Sequence, residues 1–106
     1  MSRKEHIWVI DDDHAIRWVL EKALQHDDLV VTTFDSAVGV IDALRQSKPD
    51  AVIADIRMPG MSGLELLARL RERLPELPVI IMTAHSDLDS AVSAYQGGAF
   101  EYLPKP

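Results

Sequence analysis

The sequence predicts an open, doubly wound parallel α/β sheet, and three observations carry the prediction. Short apolar runs alternate with amphipathic helical stretches in the order βαβαβαβαβ, the pattern of parallel strands joined by right-handed crossovers. The run Ala51 to Asp55 is apolar at every position before its terminal carboxylate, as expected of a strand covered by helices on both faces. The length of 106 residues suits one domain and excludes a complete eight-stranded barrel of ~250 residues.

Each element follows from local pattern. Ile7 to Ile10 is the first strand, β1, and Asp11-Asp12-Asp13 follows at once. His14 to Gln25 carries Ile16, Val19, Leu20, Ala23 and Leu24 on one helical face, which predicts helix α1 with Asp13 as its N-cap. Leu29 to Phe34 is rich in β-branched residues and forms β2, whose two threonines suit a sheet edge. Ser36 can cap a helix α2 running to about Gln46, with Ala37, Val40, Ile41 and Leu44 inward and a disfavoured Gly39 within it. Strand β3 ends at Asp55, between the breakers Pro49-Asp50 and Pro59-Gly60.

Ser62 begins α3, in which Leu66, Leu67, Leu70 and Leu74 form the apolar stripe. Arg69, Arg71, Glu72 and Arg73 then fall on a mostly solvated face. Pro75 and Pro78 bracket a break, and Val79 to Thr83 is β4. Ser86 or Asp87 starts α4, with Leu88, Ala91, Val92 and Tyr95 on one side and Gly97-Gly98 stopping it. Phe100 to Leu103 is β5, followed by Pro104-Lys105-Pro106.

Composition narrows the function. A net charge of −6, with no basic run beyond Arg3-Lys4, argues against direct nucleic-acid contact. The absence of cysteine excludes disulfides and thiolate metal sites. No run approaches membrane-spanning length, and the apolar segment after Lys4 is too short for a signal peptide. These features lead to the expectation of a cytoplasmic protein with no membrane partner.

In open α/β sheets, ligands bind beyond the carboxyl ends of the strands. That rim collects Asp11 and Asp12 from β1, Asp55 from β3, Thr83 from β4 and Lys105 from β5. Three carboxylates packed together repel unless a cation sits among them. Oxygen ligands without His or Cys suit a hard ion, and few carboxylates with room for water and phosphate oxygens suit Mg²⁺ better than Ca²⁺. An ammonium and a hydroxyl can stabilise a transferring phosphoryl group, and an aspartate can accept it as an acyl phosphate. Each piece has a plain structural alternative: Asp11-Asp12 as a solvated turn, Asp55 as a turn starter, Thr83 as a cap, Lys105 as a surface lysine. Their joint placement on one rim favours chemistry.

The four motifs Val9-Ile10-Asp11-Asp12-Asp13, Asp55-Ile56-Arg57-Met58-Pro59-Gly60-Met61-Ser62-Gly63, Met82-Thr83-Ala84 and Tyr102-Leu103-Pro104-Lys105-Pro106 resemble the receiver domain of two-component response regulators. The resemblance covers the whole chain. Within that family, Ile16-Arg17-Trp18-Val19-Leu20 and Met82 to Asp89 with Ala91 to Tyr95 are similar to nitrogen-regulation activators. It implies a flavodoxin/CheY-like five-stranded sheet of order 2-1-3-4-5. By position it implies Asp55 as phospho-acceptor from a sensor histidine kinase, with Mg²⁺ bound by Asp12, Asp55 and the backbone carbonyl of Arg57, and by Asp11 through water. Lys105 and Thr83 would bind phosphate, Thr83 and Tyr102 would form the switch, and the Lys105-Pro106 bond is often cis in such receivers. Arg57 and His85 would tune the phosphoryl lifetime.

The resemblance also implies a fifth helix after Lys105, where only Pro106 follows. The expectation is then a receiver truncated before its last helix, with exposed apolar sheet beside α1 and a tendency to homodimerise or exchange elements. A full-length parent would carry an output ATPase and a DNA-binding module for transcription regulation. An aspartate-nucleophile, Mg²⁺-dependent phosphohydrolase is the competing reading, but such enzymes usually need a second acid two residues after the nucleophile, where Arg57 stands. No Gly-rich turn follows β1 to support dinucleotide binding.

Overall fold

The computed structural model describes residues 4–83, 92, 93 and 96–104. Five parallel strands form one sheet in the order β2-β1-β3-β4-β5. They are β1 (His6–Ile10), β2 (Val30–Phe34), β3 (Ala51–Asp55), β4 (Val79–Thr83) and β5 (Glu101–Pro104). The described helices are α1 (His14–His26), α2 (Ala37–Ala43) and α3 (Gly63–Arg73). The start expected for α4, with Leu88, Ala91 and Tyr95, lies outside the described residues, as do His85, Lys105 and the Lys105-Pro106 bond.

Strand alternation divides the core in two. Trp8, Ile10, Val52, Ala54, Val79 and Ile81 point to the side covered by α2 and α3, where Val40, Leu66, Leu67 and Leu70 pack against them. Ile7, Val9, Ile53 and Met82 point to the other side, against Ile16, Leu20 and Leu24 of α1. Both faces of β1 and β3 are therefore apolar, as a parallel sheet requires. On the α1 side of the sheet, apolar exposure among the described residues is greatest at the β5 edge, where Leu103, beside Met82 in the register, is 45% exposed. Nearer α1, Ile7 and Ile53 are each 8% exposed, and Val31, Ala51 and Ile80 are partly exposed.

Strand β2 is an edge strand, with Thr32 exposed. Trp8 and Phe34 stack at a tilt, centroids 5.1 Å apart, and tie that edge to β1. Helix α2 ends at Ala43 rather than near Gln46, and the chain continues as tight turns with Arg45 N–H bonded to Asp42 O and Gln46 N–H to Ala43 O. A weak helix former in so short a helix, Gly39, leaves the last turn without reserve. Val92 is 44% exposed.

Helix α3 is anchored at both ends. Ser62 Oγ accepts from Glu65 N–H at 3.2 Å, the first half of a capping box. At the other end, Arg71 donates to the carbonyl of Pro75 at 2.7 Å and to that of Leu77, closing the connection into β4. Gly98, at φ +105°, packs over the stem of Arg71, where an added Cβ would lie 3.0 Å from Cδ.

Candidate functional site

Register builds the site. In the parallel pair β1–β3, Val9 lies beside Ile53 and Ile10 beside Ala54, so one further step along both strands sets Asp11 beside Asp55. Asp11 continues the parity of Ile7 and Val9, and Asp55 that of Ala51 and Ile53, which directs both carboxylates to the α1 side of the sheet. Asp11 is fully buried and Asp55 is 3% exposed, whereas Asp12 is exposed. One carboxylate oxygen from each of Asp11, Asp12 and Asp55 lies within 4.8 Å of the others. Three carboxylates this close would repel one another, and a small hard cation such as Mg²⁺ would offset that repulsion. The all-oxygen donor set fits that ion.

Local bonds hold the acids in place. Asp13 accepts from Ala15 N–H at 2.8 Å and so caps α1 as expected. Its own N–H donates to Asp11 Oδ1 at 2.8 Å, while Asp11 N–H donates to Phe34 O at 3.1 Å. Arg57 N–H donates to Asp55 Oδ1 at 3.3 Å, which folds the loop after β3 over the acceptor candidate. The Arg57 side chain itself is exposed. Gly60, at φ +77°, makes the turn that the Pro59-Gly60 pair predicts.

Thr83 closes β4 on the same rim, 5% exposed, and sits beside Pro104 in the β4–β5 register. Tyr102 is half-buried, pairs with Ile81 and packs against the α2–α3 side of the core. The structure thus brings Asp11, Asp12 and Asp55 together and sets Thr83 at the end of the adjacent strand. Lys105 is outside the described residues.

Two residues that shape this rim escape sequence reasoning. Arg17 donates from Nη1 to the carbonyl oxygen of Asp11 at 2.7 Å. Its signal is a basic residue near the N-terminus of a helix, against the macrodipole, which calls for a local acceptor. Gly63 opens α3 with its N–H bonded to Ile56 O at 2.9 Å, and a Cβ there would lie 2.2 Å from Asp55 O. Its signal is a poor helix former placed directly after a capping serine.

The sequence and the fold have known relatives. The family described as response regulator receiver domain matches residues 7–106. The DNA-binding transcriptional regulator NtrC of Escherichia coli (strain K12) is 62% identical over 100 residues, covering 94% of this chain and 21% of that protein. The transcriptional regulatory protein FixJ of Bradyrhizobium diazoefficiens is 43% identical over 106 residues, covering all of this chain and 52% of that protein. The chain thus spans about a fifth of its NtrC relatives. The receiver domain of nitrogen regulatory protein C superposes with a TM-score of 0.82 in its BeF3-activated form and 0.87 in its apo form, at 59% identity. Each covers 99% of this chain and 85% of that one. The matched family spans both the sheet and every acid on its rim, and the chain belongs to the response regulator receiver domain family.

Proposed function

We propose that Asp55 is the phospho-acceptor of this receiver. The single observation that carries the reading is the convergence of Asp11, Asp12 and Asp55 within 4.8 Å at the ends of adjacent strands. One Asp55 carboxylate oxygen attacks phosphorus, the bond from phosphorus to the donor breaks, and the product is an acyl phosphate with the donor's imidazole or carboxylate released. Mg²⁺ held by Asp12, Asp55 and the Arg57 carbonyl, with Asp11 behind it through water, would offset the charge that develops on the phosphoryl oxygens. Asp55 is 3% exposed, and that burial limits the access of bulk water to the acyl phosphate.

The donor is a phosphohistidine on a sensor kinase, and the chain's own chemistry is limited to its phosphorylation and dephosphorylation. Thr83 binds the phosphoryl group with Lys105, and Tyr102 follows the movement of Thr83, carrying the change to the β5 surface. Moving such a two-state element from 1:99 to 99:1 needs ~5.5 kcal/mol of differential stabilisation, within reach of several new charge-assisted bonds. By analogy with NtrC and FixJ, the output is a transcriptional activator in a longer protein, with an ATPase and a DNA-binding module as in the nitrogen-regulation class.

The test is incubation with a small acyl phosphate and Mg²⁺, read by intact mass. The unsubstituted chain should gain one phosphoryl group and Asp55→Asn none. Equal labelling of both would reject Asp55 as acceptor, and rapid turnover of a phosphate ester would assign the site to a hydrolase.

A further inference from the structure

Asp11 and Asp12 share one peptide group, and its carbonyl oxygen accepts the 2.7 Å bond from Arg17 Nη1. Arg17 stands on α1, where its own N–H bonds to Asp13 O at 3.1 Å. Its guanidinium therefore reaches back over the helix entrance to the end of β1. The bonds from Asp11 N–H to Phe34 O and from Asp13 N–H to Asp11 Oδ1 fix the residues on either side of Asp12. The Arg17 bond acts on the peptide plane that leads into Asp12 itself. That plane sets the direction in which this exposed residue projects its carboxylate.

Helix α1 has no acidic residue in its first turn, and the positive end of its macrodipole disfavours a cation nearby. The placement of Arg17 is offset by a charge-assisted bond to a carbonyl at the acid cluster. We propose that Arg17 is a positioning residue for the metal: it locks the Asp11–Asp12 peptide so that the Asp12 carboxylate meets those of Asp11 and Asp55 around Mg²⁺. The inference rests on the assignment of the acid trio as a Mg²⁺ site.

Two effects of Arg17 on Mg²⁺ have opposite signs. A guanidinium near a dication repels it, so removing the charge would tighten binding. Releasing the peptide weakens binding, and partners behind a metal's ligands commonly contribute ten- to a hundredfold in affinity. The second effect dominates because the bond acts directly on the backbone of a ligand.

Mg²⁺ is titrated into the unsubstituted chain, Arg17→Met and Arg17→Lys, with binding followed by backbone amide NMR shifts. The metal-free spectrum of each reports its fold. The Mg²⁺ dissociation constant should rise about tenfold in Arg17→Met and recover in part in Arg17→Lys, whose ammonium can still donate to the Asp11 carbonyl. An unchanged or lower constant in Arg17→Met overturns the proposal. Equal weakening in both variants assigns the effect to side-chain packing and overturns it too. If Arg17→Met loses its dispersed spectrum, Arg17→Leu, which also lacks a donor, is judged by the same criterion. Absence of Mg²⁺ binding in the unsubstituted chain instead overturns the metal site, and the role of Arg17 with it.

Discussion

Replacing Gly63 by alanine tests the contact that docks α3 on the end of β3 at Asp55. An added Cβ would lie 2.2 Å from Asp55 O, 2.7 Å from Ile56 Cα and 2.9 Å from Asp55 C. All three are backbone atoms, so no side chain can swing aside. Ordinary contact needs more than 3.4 Å, and the N-terminus of α3 must therefore move by about an ångström or more from the end of β3. The Gly63 N–H bond to Ile56 O, now 2.9 Å, is strained by the same movement. Overpacking of this kind typically destabilises by 1–3 kcal/mol, and so close a backbone clash belongs at the upper end, about 3 kcal/mol. Alanine's better helix propensity offsets at most ~1 kcal/mol. The net expectation is a loss of about 2 kcal/mol. For a domain near this size that lowers Tm by roughly 8–16 °C. Urea denaturation with an unchanged m value is the direct measurement. A Gly63→Ala chain within about 0.5 kcal/mol of the parent, the range of neutral surface changes, would refute the argument that α3 is docked this closely on Asp55.

Arg71→Met should destabilise the fold by about 1.5–3 kcal/mol, since it removes charged donors to the Pro75 and Leu77 carbonyls while keeping most of the apolar stem; denaturation of a variant as stable as the parent would show the clamp to be ornamental. Mg²⁺ at a hundred times its dissociation constant should stabilise the chain by ~2.7 kcal/mol, with the gain lost on chelation. Asp12→Ala should abolish that increment without lowering the metal-free Tm, because it also relieves repulsion among the three acids. An equal Mg²⁺-dependent rise in Asp12→Ala, read by thermal scans with and without chelator, would remove Asp12 from the metal site.

The strands and the acid trio were legible because each depends on chain-local pattern. Val52 to Ala54 is apolar at every step, so only a sheet covered on both faces can bury it, and Asp55 follows as the carboxylate at the strand's end, itself buried. Asp13 was readable as a cap because capping is a contact between near neighbours. The end of α2 was less legible. Ile41 and Leu44 keep the helical period, yet Gly39 weakens so short a helix and the ladder gives way to tight turns after Ala43. Arg71 reads as part of a solvated helix face, and nothing in the sequence around Arg17 names its acceptor. Their acceptors are carbonyls that face them only once a strand end or loop has been folded back.

Alternating pattern along the chain is enough to name the sheet, the helices and the residues that must fall at the strand ends, because burial period and breakers act within a few residues. Distances between those ends belong to the folded molecule. The order β2-β1-β3-β4-β5 and the register of Val9 beside Ile53 are what place Asp11 against Asp55. The absence of a Cβ at Gly63 lets α3 approach the end of β3, and the reach of Arg17 to Asp11 O depends on how α1 crosses β1. These are contacts between backbone groups, and backbone groups are alike in every residue; which of them meet is decided by packing in three dimensions.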